Sequence, residues 1–173
     1  MALVPPIEAT VEEVRAVLAP VRNDFGVAVV AAGNAFAVGA IVRVAHSFLA
    51  REILLVGDAP HYAKASMGME KYETVVRVPD AAALLAHVAG RPVWVVEKDA
   101  ARRSVTSVDR FPPGVVFVFG SERGGVPTEL VDRADEVIGI PIYGVNHSLP
   151  LAIAAGIVMH EWARRRYADG ATA

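Results

Sequence analysis

Residues 115–127, VVFVFGSERGGVP, decide the fold expected of this chain. The first five are a continuous apolar run, which is typical of a strand buried on both faces of a parallel sheet. The glycine-rich segment 120–127 predicts a loop at the end of that strand. A second strand is predicted near 136–140, followed by a loop at 141–148 and a helix rich in small residues. Because ligands bind beyond the carboxyl ends of parallel strands, the two loops are expected to form the walls of one ligand site.

The sequence before this stretch alternates between strand and helix patterns. Strands are predicted at 26–32, 52–56, 74–78 and 93–97, and helices at 7–18, 38–49 and 80–88, with a short helix and a loop within 60–72. Thr10 is expected to cap the first helix. The polar segment 98–113 predicts an exposed, mobile connection. The alternation predicts an α/β fold in which helices flank a parallel sheet.

The composition indicates a globular protein, since 54% of its 173 residues are hydrophobic and 21% are charged. This length suits a single domain spanning 1–173. With a net charge of −2, any contact with nucleic acid must use a local patch. The chain has no cysteine, which excludes disulfides and thiolate zinc sites and fits a cytoplasmic protein.

The sequence argues against a membrane span and against three common kinds of binding site. The segment 25–42 is long and apolar enough for a membrane span. The Gly33-Asn34 turn signal in its middle instead favours a strand followed by a helix, so no membrane segment is predicted. The chain has no dinucleotide-binding or phosphate-binding glycine motif. His160-Glu161 begins a zinc-protease motif that Arg164 interrupts, so no metal site is predicted.

Three segments together resemble motifs of the SpoU-TrmH branch of the SPOUT RNA methyltransferases. The first, NAFAVGAIVR at 34–43, is similar to N-x-x-N-x-G-A-I-x-R. The second, FGSERGGVP at 119–127, is similar to F-G-x-E-x-x-G. The third, IPI at 140–142 with SLPLAIAA at 148–155, is similar to I-P-M followed by S-L-N-x-x-x-A. The three occur in the family's order, and the resemblance covers roughly 25–166, nearly the whole chain.

The resemblance implies a Rossmann-like α/β domain with a deep trefoil knot in its C-terminal part. It implies an enzyme that uses S-adenosylmethionine to methylate RNA, in most family members at a ribose 2′-oxygen of tRNA or rRNA. It also implies a homodimer formed through the C-terminal helix and the knot region, in which the arginine of one subunit serves the cofactor pocket of the other.

The same resemblance assigns the site residues. The implied cofactor-binding residues are Gly120, Ile140, Ile142, Ser148 and Leu149. The implied catalytic residues are Arg43, Glu122 and Ser148, and the implied RNA-binding residues are Asn34, Arg43 and Arg123. A guanidinium can hold a phosphate beside the target ribose with two hydrogen bonds. It is a very poor base, so we do not expect Arg43 to take the proton.

Two departures from the family motifs keep other functions open. Ala37 and Pro150 stand where the family has asparagines. One alternative is therefore a non-catalytic RNA-binding protein on the same fold. A second is an unrelated nucleotide-dependent enzyme, such as a dehydrogenase.

Single residues also have simpler interpretations. Arg43 could be a surface cation, Glu122 part of a loop ion pair, and Ser148 only the N-cap of the last helix. That helix is apolar on two faces. One face is expected to cover its own sheet, and the other either a second copy of the chain or a second layer of the same subunit.

Overall fold

The computed structural model describes residues 8–30, 33–121, 123–146 and 148–168. Its framework is a parallel sheet of seven strands in the order β3-β2-β1-β6-β4-β7-β5. The strands are β1 Gly26–Val30, β2 Glu52–Val56, β3 Val75–Val78, β4 Val93–Val96, β5 Arg103–Ser104, β6 Val116–Phe119 and β7 Glu136–Gly139. The predicted parallel sheet is confirmed, with β5 as a strand that the sequence pattern did not predict.

Helices connect the strands on both faces of the sheet. The α-helices in the described ranges are α1 Val11–Leu18, α2 Ala35–Ser47, α3 Ala63–Ser66, α4 Ala81–His87, α5 Thr128–Asp132 and α6 Leu151–Ala168. Short 3-10 helices lie between these elements, at Ala19–Val21, Met69–Lys71 and Val105–Ser107. No helix in the described ranges has both the length and the apolar character needed to cross a bilayer.

Side-chain caps fix where two helices begin. Thr10 caps α1 in a capping box with Glu13, as predicted. Asn34 caps α2, since its side-chain oxygen accepts hydrogen bonds from the amides of Phe36 and Ala37 at 3.1 and 3.2 Å. The helix therefore begins at Ala35, three residues before the start predicted from the sequence.

The core lies in two layers, one on each face of the sheet. One layer contains α2 and α6, and there the rings of Phe25 and Trp162 lie 4.5 Å apart between centroids. The other layer contains α4 and α5, which bury Leu84 and Leu130. The central strands β1, β2 and β6 are buried along their whole length, which explains their continuous apolar runs.

Most residues of 98–113 are exposed, as their polarity predicted, but three apolar residues anchor the segment to the core. Val105 and Val108 are fully buried, and Phe111 is nearly so. Arg165 of α6 donates to the backbone carbonyls of Val105, Thr106 and Val108. The sequence pattern did not reveal this anchoring, because the three apolar residues are well separated and the arginine that binds the backbone carbonyls is distant in sequence.

Helix α6 contacts other parts of the same chain on two sides. Leu151, Val158 and Trp162 are buried in the core. On the second side, a Cβ atom at Gly156 would lie 3.9 Å from the Val44 side chain of α2. Helix α2 of the same chain thus covers much of the second apolar face of α6. Ile153 remains 53% exposed.

Candidate active site

A cleft of about 710 Å³ opens at the carboxyl edge of the sheet. The loops after β4, β6 and β7 meet there with the start of α6. Residues 96–100, most of 119–126, and Ile140, Ile142, Ser148, Leu149, Leu151 and Ala154 supply most of its wall. The two loops singled out from the sequence therefore do face one site, and the loop after β4 is a third wall.

The glycine loop after β6 is a tight turn that only glycine can form at two positions. The amide of Gly125 donates to the carbonyl of Ser121 at 2.9 Å. A Cβ atom at Gly120 would overlap the backbone of Gly125. Gly125 itself has φ +62°, a left-handed conformation that side chains disfavour. Gly124 adds a hydrogen bond from its amide to the Ser121 hydroxyl at 3.0 Å.

Glu97 is a site residue that the sequence interpretation missed. It follows the last residue of β4 and lines the cleft. One carboxylate oxygen accepts from the amide of Val126 at 3.1 Å, and the other accepts from the amide of Lys98 at 2.9 Å. The position gave a signal, since an acidic residue directly after a buried parallel strand lies where such sheets bind ligands.

The structure brings all five predicted cofactor residues to the cleft. Gly120, Ile140, Ile142, Ser148 and Leu149 line it together, although they come from three separate segments. Their part in binding a cofactor stays a prediction.

The predicted catalytic and RNA-binding residues are more dispersed. Arg123 lines the cleft, whereas Arg43 is exposed on α2 and is not among the residues of its wall. Asn34 is exposed at the start of α2 and uses its side-chain oxygen to cap the helix. Glu122 lies outside the described residues.

Ser148 precedes α6 and is not positioned as its cap. The carbonyl of Pro150 accepts the first helical hydrogen bonds, from the amides of Ile153 and Ala154 at 2.9 and 3.0 Å. Ser148 is exposed on the cleft wall two residues earlier. Its hydroxyl is therefore in a position to meet a ligand.

An exposed aromatic pair lies beside Asn34. The rings of Phe36 and Tyr62 are 6.5 Å apart between centroids and are inclined at 33°. Phe36 is 63% exposed and Tyr62 43%. The amide of Tyr62 donates to the carbonyl of Ala35 at 3.1 Å, which joins the two segments that carry the rings.

Two short arginine runs, at 102–103 and 164–166, are partly engaged within the fold. Arg103 pairs with Glu136 at 2.9 Å, and Arg165 points inward toward the 105–108 backbone. Among the described residues, no cluster of three or more histidine, aspartate or glutamate side chains is arranged to bind a metal ion.

Comparison with solved structures shows the same architecture elsewhere. The A. aeolicus TrmH/SpoU tRNA modifying enzyme superposes with a TM-score of 0.79 at 26% identity, covering 92% of this chain and 84% of that one. An AdoMet-bound rRNA methyltransferase from Sinorhizobium meliloti superposes with a TM-score of 0.74 at 28% identity, covering 83% and 56%.

Sequence comparison gives the family. The 23S rRNA (adenosine(1067)-2′-O)-methyltransferase of Streptomyces laurentii is 34% identical over 135 residues, which are 74% of this chain and 50% of that protein. The chain spans about half the length of the curated relatives it matches. The family model of the SpoU rRNA methylases matches residues 24–160, most of the chain. This chain therefore belongs to the SpoU rRNA methylase family.

Proposed function

We propose that this protein transfers a methyl group from S-adenosylmethionine to a ribose 2′-oxygen of RNA. The observation that carries the proposal is the cleft. Five residues from the second and third SpoU motifs line it, and they come from three separate segments of the chain. Family membership supports the same reaction, since the Streptomyces laurentii relative is named for 2′-O-methylation.

The residues of the cleft suit an adenosyl ligand. Its volume of about 710 Å³ falls within the range of about 300–1,000 Å³ typical of small-molecule sites. Ile140, Ile142 and Leu149 offer apolar surface for a flat, uncharged adenine, and the glycine loop lets backbone groups approach closely. The cofactor supplies an already electrophilic methyl group on its sulfonium, so the protein mainly has to align the acceptor oxygen.

The active unit we propose is a homodimer in which Arg43 of one subunit reaches the cleft of the other. Two observations support it. Arg43 is exposed and does not line the cleft of its own chain. Ile153 leaves an apolar position uncovered on α6 near that cleft, since the neighbouring Ala154 is part of the cleft wall. In this arrangement Arg43 holds a phosphate next to the target ribose with two hydrogen bonds.

A trefoil knot in the C-terminal part belongs to the same proposal. Its support is the path of the chain, because β7 pairs with the earlier strand β4 and α6 returns across the segment that follows β4. A knot of this kind would bring the loops after β4, β6 and β7 against one another, as they lie in the cleft.

The substrate we propose is a tRNA or an rRNA, the classes named for the A. aeolicus and Streptomyces laurentii proteins. Local features of the surface support RNA binding despite the net charge of −2. Arg123 stands on the cleft wall, and Asn34 is exposed at the start of α2. The Phe36–Tyr62 pair offers ring faces on which an unpaired base can stack.

Methyl transfer is tested directly with the purified protein, labelled S-adenosylmethionine, and tRNA and rRNA from cells lacking the gene. Mass-spectrometric mapping should locate a single class of new 2′-O-methylated nucleotides, which is also missing from the RNA of those cells. The first alternative, a non-catalytic RNA-binding protein, is motivated by Ala37 and Pro150 in place of the family asparagines. RNA binding without any methyl transfer would establish that alternative and refute ours.

A further inference from the structure

We infer that Glu97 forms a ribose subsite in the cleft, where its carboxylate accepts hydrogen bonds from the 2′- and 3′-hydroxyls of the adenosyl ligand. The inference rests on the proposed function, because it assumes that an adenosyl compound occupies this cleft. It begins from the position of Glu97, which follows β4 and lines the cleft next to the glycine loop.

The hydrogen bonds that Glu97 makes with the described part of the chain leave part of its acceptor capacity unused. An ionised carboxylate can accept about four hydrogen bonds. The described contacts use one lone pair on each oxygen, for the amides of Val126 and Lys98. One lone pair per oxygen remains, and a vicinal diol carries two hydroxyl donors at a matching spacing.

The glycine loop fixes the carboxylate in place. A Cβ atom at Gly125 would lie 2.5 Å from a carboxylate oxygen of Glu97, so the absence of a side chain there makes room for this group. The hydrogen bond from Val126 then holds it against the loop. The backbone of Glu97 is anchored too, since its amide donates to the carbonyl of Ile138 at 3.1 Å.

The chemistry has a general precedent in open parallel sheets. An acidic residue beyond a strand end commonly accepts the ribose hydroxyl of a bound nucleotide. Here the apolar residues Ile140, Ile142 and Leu149 suit the adenine, which leaves the hydroxyl edge of the nucleoside in need of a polar partner. Glu97 provides that partner at the end of β4.

The experiment combines variants of Glu97 with ligands that lack one hydroxyl. Calorimetry measures the binding of S-adenosylhomocysteine and of its 2′-deoxy and 3′-deoxy analogues to the wild type, Glu97→Ala and Glu97→Gln. A hydrogen bond to a charged group contributes enough that the wild type should bind each deoxy analogue about tenfold more weakly. Glu97→Ala should lose about tenfold or more for S-adenosylhomocysteine and should no longer distinguish the three ligands.

Glu97→Gln separates the subsite from a purely structural role. Its amide oxygen can still accept from Val126, so the loop stays held, but it offers the diol one acceptor fewer. Discrimination between the ligands should fall and not vanish. Glu129→Ala is the matched control, because Glu129 is exposed on α5 next to the same loop and does not line the cleft. It should bind all three ligands as the wild type does.

Two results would overturn the assignment. Equal losses for the deoxy analogues in the wild type and in Glu97→Ala would show that Glu97 acts only through the loop. A wild type that binds all three ligands equally would show that no ribose subsite exists. A wild type that binds none of them would instead refute the proposed function, and this inference with it.

Discussion

The proposed mechanism requires Arg43 for methyl transfer and not for cofactor binding. It is exposed on α2 and lies outside the cleft wall of its own chain. Arg43→Ala should therefore leave S-adenosylmethionine affinity nearly intact and reduce methyl transfer about a hundredfold or more, as the loss of one transition-state contact does. Calorimetry measures the S-adenosylmethionine affinity, and single-turnover methylation measures the rate of methyl transfer.

A matched arginine tests whether the effect belongs to the site. Arg51 is also exposed, but it precedes β2 at the opposite edge of the sheet. Arg51→Ala should methylate at the wild-type rate. Full activity in Arg43→Ala would refute the role given to Arg43.

Glu73 dominates a buried ionic network far from the cleft. Its carboxylate accepts two hydrogen bonds from Arg22, at 2.7 and 3.1 Å, and contacts Nδ1 of His46 at 2.8 Å. Burial by itself raises the pKa of Glu73, but the hydrogen bonds from His46 and Arg22 outweigh it and hold the pKa below its ordinary value. The network joins the segment before β1 to α2 and β3.

This lowered pKa predicts a pH dependence of stability. The folded protein holds the Glu73 proton less tightly than the unfolded chain, so the ionised network stabilises the fold at neutral pH. That contribution disappears as the pH falls below about 4.3 and through the lower folded pKa. Glu73→Gln should lower the free energy of unfolding at pH 7 by about 3 kcal/mol, because Arg22 then lacks its buried partner.

Urea denaturation at neutral and acidic pH checks this expectation. The difference between the wild type and Glu73→Gln should shrink as the pH falls. Glu12→Gln, an exposed substitution on α1, should change stability little at either pH. A gap between the wild type and Glu73→Gln that stays constant down to the acid transition would contradict the linkage.

In the glycine loop after β6, close backbone packing restricts position 120 to glycine. A methyl group at Gly120 would overlap the backbone of Gly125, and backbone cannot move aside as a flexible side chain can. Gly120→Ala should therefore open the turn, weaken S-adenosylhomocysteine binding at least tenfold and destabilise the protein by about 1–3 kcal/mol. Calorimetry and urea denaturation measure the two effects.

A second loop glycine offers the control. Gly144 lies in the loop after β7, and among the described residues a Cβ atom there would come no closer than 4.0 Å, to the amide of Asn146. Gly144→Ala should keep stability close to that of the wild type. If both substitutions behaved alike, the tight turn would not be what requires glycine at position 120.

At the scale of the whole molecule, the sequence predicted the sheet better than it predicted how the segments meet. Strands such as β2 and β6 are continuous apolar runs because both of their faces are buried, and that pattern can be recognised locally. The two-residue strand β5 and the five-residue helix α5 are too short to show any period.

Contacts between distant residues explain the remaining differences. The attachment of 105–108 to the core involves Arg165, about 60 positions later, whose partners no local pattern reveals. Within the cleft, too, contacts between distant residues could not be predicted from local sequence. Motif resemblance placed Gly120, Ile140 and Leu149 on one cleft, whereas the contact of Glu97 with the amide of Val126 became visible only in the structure.

The proposed dimer makes a prediction that no single subunit can satisfy. If Arg43 acts on the partner's cleft, a dimer of one Arg43→Ala subunit and one Gly120→Ala subunit contains one intact site, made of the first subunit's cleft and the second's arginine. Random assembly of equal amounts makes half of the dimers mixed, so co-refolding should restore about a quarter of the wild-type activity. Each variant alone should show little activity when S-adenosylmethionine is kept below saturation, because one lacks the arginine and the other binds the cofactor weakly. If Arg43 instead served its own cleft, both sites of the mixed dimer would be defective, and the mixture would be as inactive as its components.

Dimer formation itself is checked by sedimentation. Ile153→Glu should yield monomers, because it places a charge on the exposed apolar position of α6. The equally exposed Val17→Glu on α1 should leave the dimer intact.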